Sequence, residues 1–63
     1  MKICIHRKHY VGNRIIVQDE AEATYSNVWN IEIIKTHIFG DINGEQLTIK
    51  LDHTNYKYYI MND

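Results

Sequence analysis

The chain has 63 residues, 44% hydrophobic and 11% aromatic, with a formal net charge of −1, no proline and one cysteine. That length allows one domain, which buries only roughly 60% of the surface its unfolded chain exposes, and the apolar content excludes a disordered tail. The single Cys4 excludes an internal disulfide, which leaves a metal or self-association available as support beyond a small core.

The first residues, Met1-Lys2-Ile3-Cys4-Ile5-His6-Arg7-Lys8, lack the uninterrupted apolar run of a signal peptide. No stretch approaches the roughly 20 apolar residues that span a bilayer. The expectation is a cytoplasmic protein with no membrane partner, and one unpaired cysteine agrees with a reducing compartment. Abundant Ile, Asn, Tyr and Lys without proline is the usage of an AT-rich coding sequence, which points to a low-GC bacterium or one of its phages. No Pro, Gly or Ser-rich linker, repeat or low-complexity run divides the chain, so residues 1–63 are read as a single small β-rich domain.

Gly12-Asn13 separates Lys2 to Val11 from Arg14 to Gln18 and is typical of a two-residue hairpin loop. Residues 2–11 and 14–18 are therefore predicted to form the first hairpin. In it, Ile3 and Ile5 alternate with Lys2, Cys4 and His6, and Ile15 and Val17 alternate with Arg14, Ile16 and Gln18. Continued in perfect register, this hairpin sets Ile5 and Ile3 opposite Glu20 and Glu22, with carboxylates on the buried face. The ladder must bulge or stop near Gln18.

The segment Asp19 to Asn30 supports two readings. Ala21, Tyr25, Val28 and Trp29 fit a helical stripe, and Asp19 with Glu22 resembles a capping box. Ala21, Ala23, Tyr25, Trp29 and Ile31 fit strand alternation equally well. Thr24, Tyr25, Ser26, Asn27, Val28 and Trp29 are mediocre helix formers, which favours strand and leaves one short helix near residues 20–28 as the alternative. Trp29 is expected in the core under either reading.

From Asn30 to Phe39 the β-branched density is high and the apolar phase changes between Ile33 and Ile34. That pattern predicts a strand buried on both faces or one carrying a bulge. Gly40-Asp41-Ile42-Asn43-Gly44 is read as the turn into Glu45 to Asp52, where apolar and polar residues alternate without a fault. Asn-Gly supplies the positive φ angles of a tight hairpin turn, and pairing about it sets Ile38 across from Ile49 and Thr36 across from Leu51. Asp52-His53-Thr54-Asn55 is a last turn, and Tyr56 to Met61 a final strand with Tyr56, Tyr58 and Ile60 on one face. The expected fold class is mainly β, a small antiparallel meander or partly closed sheet of four to five strands, α+β if the short helix forms.

No motif names a reaction. Cys4, His6, His9, His37 and His53 are the soft ligands, with Cys4 and His6 on one strand face and Asp19 near His6 across the first hairpin. The spacings lack the close ligand pairs of a structural zinc site, so no metal or cofactor is assigned. Cys4 and His6 stand about 7 Å apart along a strand, beyond hydrogen-bond reach. Asp19 and Glu20 point to opposite strand faces, and a chain this short has little volume for a pocket of the usual ~300 Å³. The chain is therefore read as not an enzyme.

Charge divides along the sequence. Lys2, Arg7, Lys8 and Arg14 give residues 1–18 a charge of +4, while Lys35, Lys50 and Lys57 against eight acids leave −5 from residue 19 onward. Seven large rings exceed what so small a core can cover, and Tyr and Trp suit interfaces because they bury area and satisfy a polar tip. The expected function is a non-catalytic binding protein that self-associates, with a dimer favoured, and binds a larger macromolecule to regulate or inhibit it. Its concrete version is a phage or mobile-element inhibitor of a host system. Tyr56, Tyr58, Tyr59 and Tyr10 are the expected partner-binding residues. The alternative is a small nucleic-acid-binding β domain that uses Lys2, Arg7, Lys8 and Arg14, with Tyr10 stacking on a base, against which stands a pI near 6.4. The bland counterpart is an exposed edge strand guarded by its charges.

Overall fold

The computed structural model describes residues 1–63. Seven strands form: β1 (Lys2–Val11), β2 (Arg14–Val17), β3 (Ala23–Tyr25), β4 (Trp29–Ile33), β5 (His37–Ile42), β6 (Glu45–Lys50) and β7 (Tyr56–Met61). The chain is all-β and contains no helix, so the short helix near residues 20–28 is not formed. The strands make two antiparallel sheets, β1 with β2, β3 and β7, and β4-β5-β6, rather than one sheet of four to five strands.

β1 is the spine of the first sheet. Its far half pairs with β2, from Lys8 opposite Val17 to Val11 opposite Arg14. Its near half pairs with β3 along the same edge, and Lys2 to Arg7 pair with β7 along the other. Over that near half it is a central strand, so its charges there do not guard an open edge. The hairpin turn carries positive φ at Gly12 alone (60°), the pattern of a type II′ turn.

Near Gln18 the ladder does bulge. Lys8 faces Val17 but Ile5 faces Ala23, so the five residues 18–22 stand against Arg7 and His6. Ladder bonds close the bulge at both ends, from Gln18 N–H to the Arg7 carbonyl (2.9 Å) and from Glu22 N–H to the Ile5 carbonyl (2.7 Å). The shift replaces Glu20 and Glu22 by Ala23 and Tyr25 opposite Ile5 and Ile3, which removes the carboxylates from the buried face.

Past Tyr25 the chain stays with β1. Val28 and Met1 exchange two backbone hydrogen bonds, of 2.7 and 2.8 Å. Asn27 (φ 57°) and Asn30 (φ 55°) flank Val28-Trp29 in left-handed conformations, which asparagine tolerates better than most residues. This corner passes the chain from one sheet to the next, as strands do at bends. It also decides which apolar side chain turns inward: Val28 is fully buried, and Trp29 is 69% exposed. Trp29 is thus a surface residue, contrary to the expectation of a core position.

The stretch from Asn30 to Phe39 is a hairpin rather than one strand, and its first strand carries a bulge, with the register shifting between Trp29 and Glu32. β4 ends at Ile33, and Ile34 N–H bonds the His37 carbonyl (2.9 Å) around the loop Lys35-Thr36. Gly40 to Ile42, expected in a turn, continue β5. Gly40 is needed there because an added Cβ would lie 2.7 Å from Val28 Cγ1 and 3.3 Å from the Trp29 carbonyl oxygen. The next turn is as anticipated, with φ of 52° at Asn43 and 77° at Gly44, the signs a type I′ turn requires. Ile38 faces Ile49, and Leu51 N–H bonds the Thr36 carbonyl at 2.9 Å.

Ile3 from the first sheet, Ile38 from the second and Val28 from the corner make the fully buried centre. Ile5, Tyr25, Leu47, Ile49, Tyr58 and Ile60 are among the half-buried residues packed on it. This core is thin. The accessible surface is 4793 Å², against about 4,200 Å² for a compact monomer of this mass. The radius of gyration is 12.6 Å, against about 10.6 Å. The molecule is elongated because β1 and β2 run on past the core.

Candidate functional site

Alternation along β1 sends Ile3, Ile5 and Arg7 to the inner face and Lys2, Cys4, His6, Lys8 and Tyr10 to the outer one. Arg7 sits where the inner apolar row runs out. Its Nη2 lies 2.8 Å from Glu22 Oε1 and donates to the Tyr56 hydroxyl at 2.8 Å, and its Nε donates to Glu22 at 2.9 Å. The guanidinium also lies over the Tyr56 ring, 5.0 Å from the centroid. The hydrogen bond from Arg7 holds the Glu22 carboxyl below its ordinary value, and Glu22 holds Arg7 above its own. Hydrogen bonding with Glu22 also pushes the Tyr56 phenol up.

The last turn is docked on β1. Lys8 N–H bonds the Asn55 carbonyl at 2.8 Å, Lys8 Nζ donates to the His53 carbonyl at 2.6 Å, and the Tyr10 hydroxyl donates to the Thr54 carbonyl. Within the turn, Asn55 Nδ2 donates to Asp52 Oδ2 at 2.9 Å and lowers the Asp52 pKa. Asp52 N–H donates to the Tyr58 hydroxyl at 2.9 Å.

The predicted residues therefore separate. Tyr56 and Tyr58 are half-buried and spend their hydroxyls within the chain; Tyr10 also bonds within the chain through its hydroxyl but is 53% exposed, and Tyr59 is 40% exposed. Among the basic residues, Arg7 and Lys8 are engaged inside the chain. Lys2 is half-buried on the outer face, and Arg14 is exposed beside the first turn. They do not form one continuous face.

His6 and Asp19 share an open depression of about 370 Å³ with Val17, Gln18, Tyr59 and Met61, so their proximity across the first hairpin is as anticipated. His6 Nδ1 is 2.7 Å from the Gln18 carbonyl, and its ring meets Tyr59 edge-on at 5.1 Å. Cys4 is buried, with its Sγ 4.0 Å from Met61 Sδ. His37 stacks on Phe39, and His53 meets the Tyr58 edge. No group of three or more His, Cys, Asp or Glu side chains converges on one point.

Two sets of exposed apolar residues lie elsewhere. Every residue from His9 to Ile16 is exposed, including Tyr10, Val11, Ile15 and Ile16 at 47–57%. Tyr10 faces Ile15 across the ribbon, and His9 faces Ile16, so apolar groups occupy both faces. β7 pairing stops at Arg7, which leaves this ribbon without a neighbour on either edge beyond the docked turn. A second apolar surface follows the edge strand β4, with Trp29, Ile33 and Ile34 at 44–69% exposure. Sequence reasoning predicted this hairpin and named Tyr10, but it missed the exposed set Val11, Ile15 and Ile16 although a signal existed: adjacent Ile15 and Ile16 in one strand must put apolar side chains on opposite faces.

No protein-family model matches the chain, and no curated protein or solved structure matches it.

Proposed function

We propose that this chain is a non-catalytic binding protein that self-associates and attaches to a larger protein to regulate or inhibit it, with the projecting β1–β2 ribbon as its contact element. The observation that supports this reading is the set Tyr10, Val11, Ile15 and Ile16, held out on a ribbon with no core beneath it. A two-stranded ribbon is marginal in water without a further strand or surface against it, and this one carries exposed apolar side chains on both faces, which calls for a partner. An inhibitor encoded by a phage or mobile element is the concrete form, consistent with the small size and proline-free composition. A nucleic-acid partner has less support, since Arg7 is tied to Glu22 and Lys8 to the last turn.

The test is retention of a partner from extract of the encoding cells, by immobilised wild-type protein and by an Ile15→Lys/Ile16→Lys variant of unchanged circular dichroism. A protein held by the wild type and lost by the variant is the expected result. Equal retention by both would remove the ribbon as the contact element, and retention of nothing by either would leave the reading without a partner.

A further inference from the structure

β2 is the outer strand of the ribbon, paired with β1 on one side only. Gln18 N–H bonds the Arg7 carbonyl, and strand alternation then turns the backbone groups of Ile15 and Val17 away from β1. They form an open edge in Arg14-Ile15-Ile16-Val17, which has no Lys or Pro to block a further strand.

The charges along that edge are one-sided at each end. Arg14 opens β2, and Asp19 and Glu20 follow its last residue; all three are exposed. None has an ion-pair partner within the chain, whose ion pairs are Met1 with Asp63 and Arg7 with Glu22. A strand positive at its start and negative after its end complements a copy of itself when the two run antiparallel, and repels it when they run parallel.

We infer that the chain forms an isologous dimer in which β2 pairs antiparallel with β2 of a second copy across a twofold axis at Ile16, which sets Ile15 opposite Val17. Arg14 of each copy then reaches Asp19 and Glu20 of the other. This rests on the self-association in the proposed function and names its seat. The pairing joins two marginal ribbons into one of four strands, β1-β2-β2-β1, and gives Ile15 and Ile16 cross-strand neighbours on both faces.

Sedimentation equilibrium from micromolar to near-millimolar concentration tests this. The wild type is expected to approach twice the monomer mass of 7.5 kDa. Arg14→Glu, which leaves each β2 edge acidic at both ends, should weaken association about tenfold or more. Asp19→Lys/Glu20→Lys, which leaves it basic at both ends, should do the same. All three substitutions together restore complementarity and should restore the dimer. A wild type that stays at the monomer mass would overturn both the dimer and the self-association it rests on. A wild-type dimer indifferent to both single-sided reversals would keep self-association and overturn the β2 interface.

Discussion

Arg7 and Glu22 meet at 2.8 Å across the point where the ladder beside β1 skips three residues. The contact gives the bulge a chemical role. Glu22 leaves the row opposite Ile3 and takes up the cation at the end of that row, and Ala23 and Tyr25 fill the vacated inner positions. Both side chains are about two-fifths exposed, so water screens the pair, and its effect is mainly to orient the bulge.

Stability should fall on acidification. Glu22 and Asp52 have folded-state pKa values below their ordinary ones, so their contributions are present above about pH 4.5 and are lost as pH falls through the folded values. Melting temperatures between pH 2 and 7 should decline on the acid side, with a shallower decline in Glu22→Gln and in Asp52→Asn. Acid limbs that superimpose on the wild type would exclude these groups as the source. Tyr56 is shifted up, so its contribution holds at neutral pH and is lost only as pH rises beyond about 10.

Gly44→Val should cost about 1 to 3 kcal/mol. Gly44 has a φ of 77° and no atom within 4 Å of where a Cβ would stand, so the whole cost is backbone strain. An unchanged midpoint in urea unfolding would mean that the turn adopts another geometry.

Gly40→Ala should also cost about 1 to 3 kcal/mol, by crowding. The added methyl meets Val28 Cγ1 at 2.7 Å, and Val28→Ala removes that atom. In the Val28→Ala background the penalty of Gly40→Ala should therefore shrink, a coupling measurable in a double-mutant cycle. Additive penalties would show that the Trp29 carbonyl, rather than Val28, sets the limit.

Of two adjacent apolar residues, the smaller should matter more to the fold. Val28→Ala is expected to cost about 2 kcal/mol, and Trp29→Ala to stay within about 0.5 kcal/mol, since Val28 is fully buried and Trp29 is 69% exposed. Native indole emission should be that of a ring in water. Blue-shifted emission from the dilute monomer would place Trp29 inside.

Much of this fold is legible in local chemistry. Gly12-Asn13 and Asn43-Gly44 permit the positive φ of tight turns, and period-two alternation then assigns Leu47, Ile49 and Leu51 to the core side and sets Ile38 opposite Ile49. The bulge near Gln18 was equally readable, because burying Glu20 and Glu22 is prohibitive. The reversal at Lys35-Thr36 was not, since neither residue is a turn former and only the phase change at Ile33 and Ile34 marked it. Nor could the chain alone say whether Val28 or Trp29 faces inward. Asn27 and Asn30 take left-handed φ because Met1 pairs with Val28 and because Gly40 leaves room for its side chain. Those partners lie 27 residues before and 12 residues after Val28, so their effect exists only once the two sheets have met.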